Sequence, residues 1–191
     1  MSARAIFIYS TLQKLYKQGG NASYSIGEPL SILEHSIETA KLQLHTHNSR
    51  LIVVSLLHDI GHLTRNKKRR DMPLDPRDGV DDRHEYEGAN ILAELGFKED
   101  ICAPIRMHVN AKRYLCLKSQ SYKNSLSVGS FASLELQGGM MNKSEAREFE
   151  NEPYFANAIE LRKNDDLAKA ITGPQMPFDY FKIHIMNVLD N

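Results

Sequence analysis

The chain has 191 residues, and its 24 Lys plus Arg balance its 24 Asp plus Glu. That length suits one domain with a sizeable core, residues 1–191, and a formal charge of +0 gives no general pull toward nucleic acid or an anionic membrane. No apolar stretch nears the roughly 20 residues that span a bilayer, and the N-terminal apolar segment is too short for a signal peptide, so a cytoplasmic protein is expected.

Ile6, Tyr9, Leu12, Leu15 and Tyr16 recur at three- and four-residue spacings, which predicts an amphipathic helix over about 5–18. Gly19-Gly20-Asn21 ends it. A polar loop follows, and Pro29 suits the first turn of a second helix. There Leu30, Leu33, Ile37, Ala40 and Leu44 form a stripe, with His35 on an adjoining face beside Ile32 and Thr39, able to point inward.

The run Leu51-Ile52-Val53-Val54-Ser55-Leu56-Leu57 suits a buried strand or a buried helix, and periodicity does not separate them. Helix is the consistent choice because the other segments read as helix, with Gly61 closing it after His58-Asp59. Imidazole followed by carboxylate suits a borderline metal ion, and the two carboxylate oxygens allow a bridge between two ions. Alone, such a doublet is more often a satisfied polar pair.

Residues 64–83 turn polar and irregular, with Arg65, Lys67, Lys68, Arg69 and Arg70 ahead of Pro73, Pro76 and Gly79. In a neutral chain this reads as a solvated loop without a nucleic-acid role. A fourth helix begins at Asp82, places His84, Gly88, Ile91 and Leu95 on one face, and ends at Gly96. In the fifth, Ile101, Ile105, His108, Lys112 and Leu115 share a face. An inward lysine needs an anionic partner, because a buried unpaired ammonium is costly, and substrate can be that partner. Cys102 and Cys116 are too few for a disulfide framework and read as small buried side chains.

Ser119 to Ser133 is rich in serine and asparagine, Leu134-Glu135-Leu136-Gln137-Gly138-Gly139 ends in a tight turn, and Asn142-Lys143-Ser144-Glu145 opens another helix. A last long helix over about 154–170 carries Ala158, Leu161, Asp165 and Ala168 on one stripe, with Arg162 three residues before Asp165. Helix phase and that spacing favour Asp165 over Asp166 as the inward carboxylate. Gly173, Pro174 and Pro177 close this helix and leave a short tail.

The in-phase polar residues are His35, His58, Asp59, His84, His108 and Asp165, each from a different helix apart from the adjacent pair. Four histidines and two carboxylates are what a pair of metal ions needs, with Asp59 bridging. His45, His47 and His62 are left as supporting or surface residues.

A lone upstream histidine, His-Asp, a downstream histidine and a late aspartate together resemble the HD-domain superfamily of metal-dependent, largely phosphate-handling enzymes. Further motifs are Gly27-Glu28, Leu33-Glu34-His35, Leu57-His58-Asp59-Ile60-Gly61-His62, His84-Glu85, His108-Val109, Ala111-Lys112-Arg113-Tyr114-Leu115, Leu136-Gln137-Gly138-Gly139, and Arg162 with Asp165. These resemble the 2-amino-1-hydroxyethylphosphonate dioxygenase (glycine-forming) branch, whose members are mixed-valent di-iron oxygenases.

The resemblance implies a single all-α HD-domain bundle around a dinuclear Fe(II)/Fe(III) site, with no organic cofactor. One iron would be held by His35, His58 and Asp165, the other by His84 and His108, and both by Asp59. Asp59 and Lys112 are the expected catalytic residues. Lys112, Arg162 and Gln137 are expected on the substrate, with Tyr24 and Glu28 covering the open iron from the preceding loop. The expected reaction takes (1R)-2-amino-1-hydroxyethylphosphonate and dioxygen to glycine and phosphate. The alternative is a metal-dependent HD-type phosphohydrolase; a non-catalytic module fits least, since every ligand position is filled. Partners are then a small organophosphonate and dioxygen, in a monomer or weak homo-oligomer.

Overall fold

The apolar periodicities become helices, and no strand occurs among the described residues, which are 2–22, 30–64, 81, 83–171 and 176–190 of the computed structural model. Helix α1 (Ala3–Gly19) starts at Ser2, whose hydroxyl accepts from the Ala5 amide, and it buries Ala5, Ile8, Tyr9, Leu12 and Tyr16. The Tyr16 hydroxyl donates to the Leu56 carbonyl at 2.7 Å, tying α1 to the centre of the bundle. Helix α2 (Ile32–Lys41) opens with a capping box between Ser31 and Glu34, so it begins three residues after Pro29, which lies outside the described residues.

The apolar run is helix α3 (Ser49–Leu57), and Ile52 to Leu57 are all buried. A helix covered on every side has no polar face, which is why its sequence shows no period. It does not end at Gly61. The helix stops at Leu57, His58 caps it in a right-handed conformation, and a 3-10 turn, Ile60–Thr64, follows. Gly61 serves a close approach instead: a Cβ there would lie 2.0 Å from the His84 carbonyl oxygen.

Helix α4 (His84–Leu95) ends at Gly96, whose φ of +91 suits glycine at a helix terminus. Its expected start, Asp82, and the basic stretch at 65–70 lie outside the described residues. Helix α5 (Glu99–Lys118) packs on α4 and on the later helix α9. The serine-rich stretch after it, to which the sequence assigns no element, forms two helices, α6 (Gln120–Ser125) and α7 (Val128–Leu136), capped by the hydroxyls of Ser119 and Ser127. Serine favours N-caps as much as loops, so composition alone does not decide between them.

Helix α8 (Lys143–Glu150) begins with a capping box of Asn142 and Glu145, and α9 (Phe155–Ala168) follows. The C-terminal stretch is no loose tail. A 3-10 turn, Phe178–Phe181, and helix α10 (Lys182–Asp190) bury Phe181, Ile185 and Met186. α10 lies on α3 and α1, and Asp190 accepts from the Ser2 hydroxyl at 2.7 Å. Among the described residues no helix is long and apolar enough to cross a membrane.

Candidate metal centre

Five helices bring polar side chains to one buried place beside the core. His35 comes from α2, His58 and Asp59 from the end of α3, His84 from the start of α4, His108 from α5 and Asp165 from α9; none exceeds 8 % exposure. The two oxygens of Asp59 face different partners. Oδ2 lies 3.3 Å from His58 Nε2 and 3.9 Å from His35 Nε2, which is itself 3.0 Å from Asp165 Oδ1. Oδ1 lies 3.6 Å from His84 Nε2, 3.8 Å from His108 Nε2 and 3.9 Å from His62 Nε2. His35, His58 and Asp165 thus form one donor set, and Asp59, His62 and His84 a second.

Backbone carbonyls fix how these rings present their lone pairs. His58 Nδ1 donates to Ser55 O at 2.8 Å and His108 Nδ1 to Ile105 O at 2.7 Å. A carbonyl only accepts, so each Nδ1 carries the proton and each Nε2 turns a lone pair to the cluster. His58 Nε2 is buried and makes no hydrogen bond. The Nε2 atoms of His84 and His108 stand 3.0 Å apart, and two metal–nitrogen bonds of about 2.1 Å at right angles give about that separation. The imidazole and carboxylate donors suit a transition-metal ion, and the arrangement fits two of them.

The electrostatics of Asp59, Asp165 and His108 favour their metal-binding forms, whereas at His58 burial is overcome by Asp59 and Asp165, which raise its pKa. Burial opposes ionisation of Asp59, yet the imidazoles of His58, His62 and His84 hold its carboxyl well below the usual carboxylate range. Burial likewise opposes ionisation of Asp165, and Arg162, Lys169 and His35 overcome it. Burial and the neighbouring His84 push His108 well down, keeping it neutral, the form that binds a metal.

Lys112 is 2 % exposed. Its ammonium donates to Ser133 Oγ at 2.8 Å, to Ser130 O at 3.3 Å and to Gln137 Oε1, all neutral oxygens of α7 or its C-cap. Burial first, then the charges of Arg162 and Lys169, lower its pKa to about 7. Gln137 is therefore placed on the Lys112 ammonium. Arg162 is also engaged: it pairs with Asp165 at 2.7 Å and donates to Tyr122 Oη at 3.2 Å, Ser130 Oγ at 3.1 Å and Asp166. Asp166 accepts from Arg162 and Tyr122, whereas Asp165 faces His35. Tyr24 and Glu28 lie outside the described residues.

His62, left by the sequence as a supporting or surface residue, stacks its ring on that of His84 with centroids 4.0 Å apart. Other members of this cluster escape the sequence reading. Ser130 and Ser133 become visible once α7 is taken as a helix, since three residues apart they share its face. Lys169, which donates to Ser130 Oγ at 2.7 Å, and Tyr122 carry no local signal.

Comparison with known proteins agrees with this geometry. The HD domain family model matches residues 32–147. A [1-hydroxy-2-(trimethylamino)ethyl]phosphonate dioxygenase (glycine-betaine-forming) of Leisingera caerulea is 34% identical over 178 residues, 92% of this chain and 87% of that one. A hydroxymethylphosphonate dioxygenase of Gimesia maris is 37% identical over 169 residues, 88% of this chain and 81% of that one. An uncharacterized protein of Acanthamoeba polyphaga mimivirus is 36% identical over 174 residues, 91% of this chain and 78% of that one. With a family model over more than half its length and phosphonate dioxygenases among its full-length relatives, the chain belongs to the HD domain family.

Proposed function

We propose that this chain is a di-iron oxygenase that cleaves the carbon–phosphorus bond of a 1-hydroxyphosphonate with dioxygen. The substrate of first choice is (1R)-2-amino-1-hydroxyethylphosphonate, giving glycine and phosphate. The observation that carries the reading is Asp59, whose two oxygens face two separate sets of buried imidazoles. The names of the relatives add support for the substrate class.

In this reading His35, His58 and Asp165 would hold one iron, His84 and His108 the other, and Asp59 would serve both; the smaller donor set at the second would leave room for substrate and dioxygen. When bound, the iron pair supplies the redox chemistry by which dioxygen attacks the hydroxyl-bearing carbon. The C–H and C–P bonds break, and carbon and phosphorus each end with one more oxygen. Substrate supplies all four electrons, so no nicotinamide or flavin is consumed.

Lys112 offers the phosphonate a point charge whose direction is fixed by the α7 oxygens. Arg162 acts from one step behind, holding Asp165 and adding positive potential beside Lys112. Tyr24 and Glu28 complete the proposal by covering the open iron.

The test is phosphate release, with and without oxygen, from 1-hydroxyphosphonates that bear hydrogen, amino or trimethylammonio on the second carbon. Oxygen-dependent release by protein holding about two irons per chain is expected. Hydrolysis of phosphoesters without oxygen, or protein that holds no iron, would sink this reading in favour of a phosphohydrolase.

A further inference from the structure

Lys112 and Arg113 are consecutive on α5, so their side chains leave the helix about 100° apart. Both reach the C-terminal end of α7. Lys112 takes it from the buried side, through Ser130 O, Ser133 Oγ and Gln137 Oε1. Arg113 takes it from the outer side: its Nε donates to Gly139 O at 2.9 Å and its Nη2 to Gly138 O at 3.3 Å. The same Nη2 reaches Glu145 Oε1 at 2.7 Å, and Nη1 reaches Asn110 Oδ1 at 3.2 Å.

The turn that Arg113 holds is a Schellman motif. The Gly139 amide donates to Leu134 O at 2.8 Å and the Gly138 amide to Glu135 O at 3.2 Å. Gly138 and Gly139 have φ of +95 and +67, a backbone that only glycine adopts readily twice in succession. Their carbonyls face outward and are taken up by the guanidinium fork.

Besides these ties and the Arg162 and Lys169 bonds to Ser130 Oγ, apolar packing does little to fix α7. Of its apolar side chains only Leu134 is buried, while Val128 is 67% and Phe131 54% exposed. A helix so thinly packed takes its position from polar ties. Glu145, which also caps α8, makes Arg113 the joint between α5, the diglycine turn and α8.

We propose that Arg113 is a positioning residue for anion recognition: by gripping the Gly138–Gly139 turn it sets the α7 oxygens around the Lys112 ammonium. The inference rests on the proposed reading of Lys112 as the phosphonate's cation. It extends that reading to a residue that touches neither substrate nor metal.

The test is a double-mutant cycle on iron-loaded protein with Arg113→Met, Gln137→Leu and both together, alongside Arg113→Lys. The probe is methylphosphonate, which lacks the 1-hydroxyl and so cannot be turned over; its Kd is read by calorimetry beside iron content, KM and kcat. Arg113→Met is expected to raise Kd and KM about tenfold, the scale of one lost charge-assisted hydrogen bond, with iron content and kcat unchanged. The double variant is expected to lose clearly less than the product of the two single losses, because both act on the same Lys112 ammonium. Arg113→Lys falls between, since an ammonium does not span both carbonyls as the fork does.

Penalties that multiply, an unchanged Kd in Arg113→Met, or lost iron would overturn the inference. A wild-type protein that does not bind methylphosphonate overturns it too. If the wild type binds methylphosphonate and shows the cycle, yet releases no phosphate from any 1-hydroxyphosphonate, the oxygenase reading fails and the role of Arg113 stands.

Discussion

Arg162 Nη1 lies 2.7 Å from Asp165 Oδ2, and both side chains are 4% exposed. Three residues apart on α9, the two meet on one helix face, and the same guanidinium holds Tyr122, Ser130 and Asp166. A planar fork serves these partners together; a point charge does not. Arg162→Lys is therefore expected to lower iron content and the unfolding temperature. Arg162→Met removes one of the two cations beside the buried Asp165 carboxylate, leaving Lys169 at 3.3 Å, and is expected to cost about 3 kcal/mol. Metal analysis and denaturant unfolding check this. Full iron content with only KM raised would make Arg162 a direct phosphonate ligand instead.

Lys112 carries a pH dependence of defined sign. Burial, then Arg162 and Lys169, set its pKa at about 7 against an ordinary 10.5. An anion binds the protonated form, so affinity for a phosphonate is greatest below that value and falls as pH rises through it. The expected loss in kcat/KM approaches tenfold per pH unit above it. Arg keeps its charge throughout this range, so Lys112→Arg removes the falling limb that Lys112 causes. Stability moves the other way: with the folded pKa below the unfolded one, the unfolded chain holds more protons between about 7 and 10.5. Lys112 therefore contributes a stability that increases with pH across that window, and Lys112→Met loses the increase in denaturant titrations.

The placement of Asp59 between two donor sets predicts unequal losses. His84→Ala removes a donor from one side and is expected to leave about one iron per chain; Asp59→Ala removes the shared donor and is expected to leave less. Activity falls to background in both. Metal analysis of the purified variants decides, and loss of both irons in His84→Ala would mean that the two sets are not separable.

How much of this is legible in sequence depends on whether the signal is local. His84 and His108 show themselves because each repeats the phase of its helix's apolar stripe, and Asp165 emerges from the same logic. His62 is left between a supporting and a surface place, because it is the 3-10 turn after α3 that carries its ring onto His84. The α10 helix is hidden for another reason: nine residues long, it draws its stability from contacts that a local pattern does not contain. Phe181 at its entrance is fully buried. Phe181→Ala is expected to cost about 3–5 kcal/mol in chemical denaturation while leaving iron content intact under native conditions.

Gly61 gives the sharpest test of how the fold positions the centre. A Cβ there would stand 2.0 Å from His84 O, 2.8 Å from His84 C and 2.9 Å from Gly88 N. All three are backbone atoms, so no side chain can swing aside and the start of α4 must move. That start holds His84, whose Nε2 lies 3.6 Å from Asp59 Oδ1. Gly61→Ala is expected to cost about 1–3 kcal/mol or more and to empty the His84 side while His35, His58 and Asp165 keep their ion. Gly88→Ala is the milder companion: a Cβ there meets Gly61 N at 3.1 Å and Ile60 Cγ2 at 3.2 Å, tight contacts that need a shift of only a few tenths of an ångström, against which alanine gains up to about 1 kcal/mol of helix propensity over glycine. About one iron per chain in the first variant and two in the second is the expected result. Two irons in both would show that the Gly61 contact does not set His84.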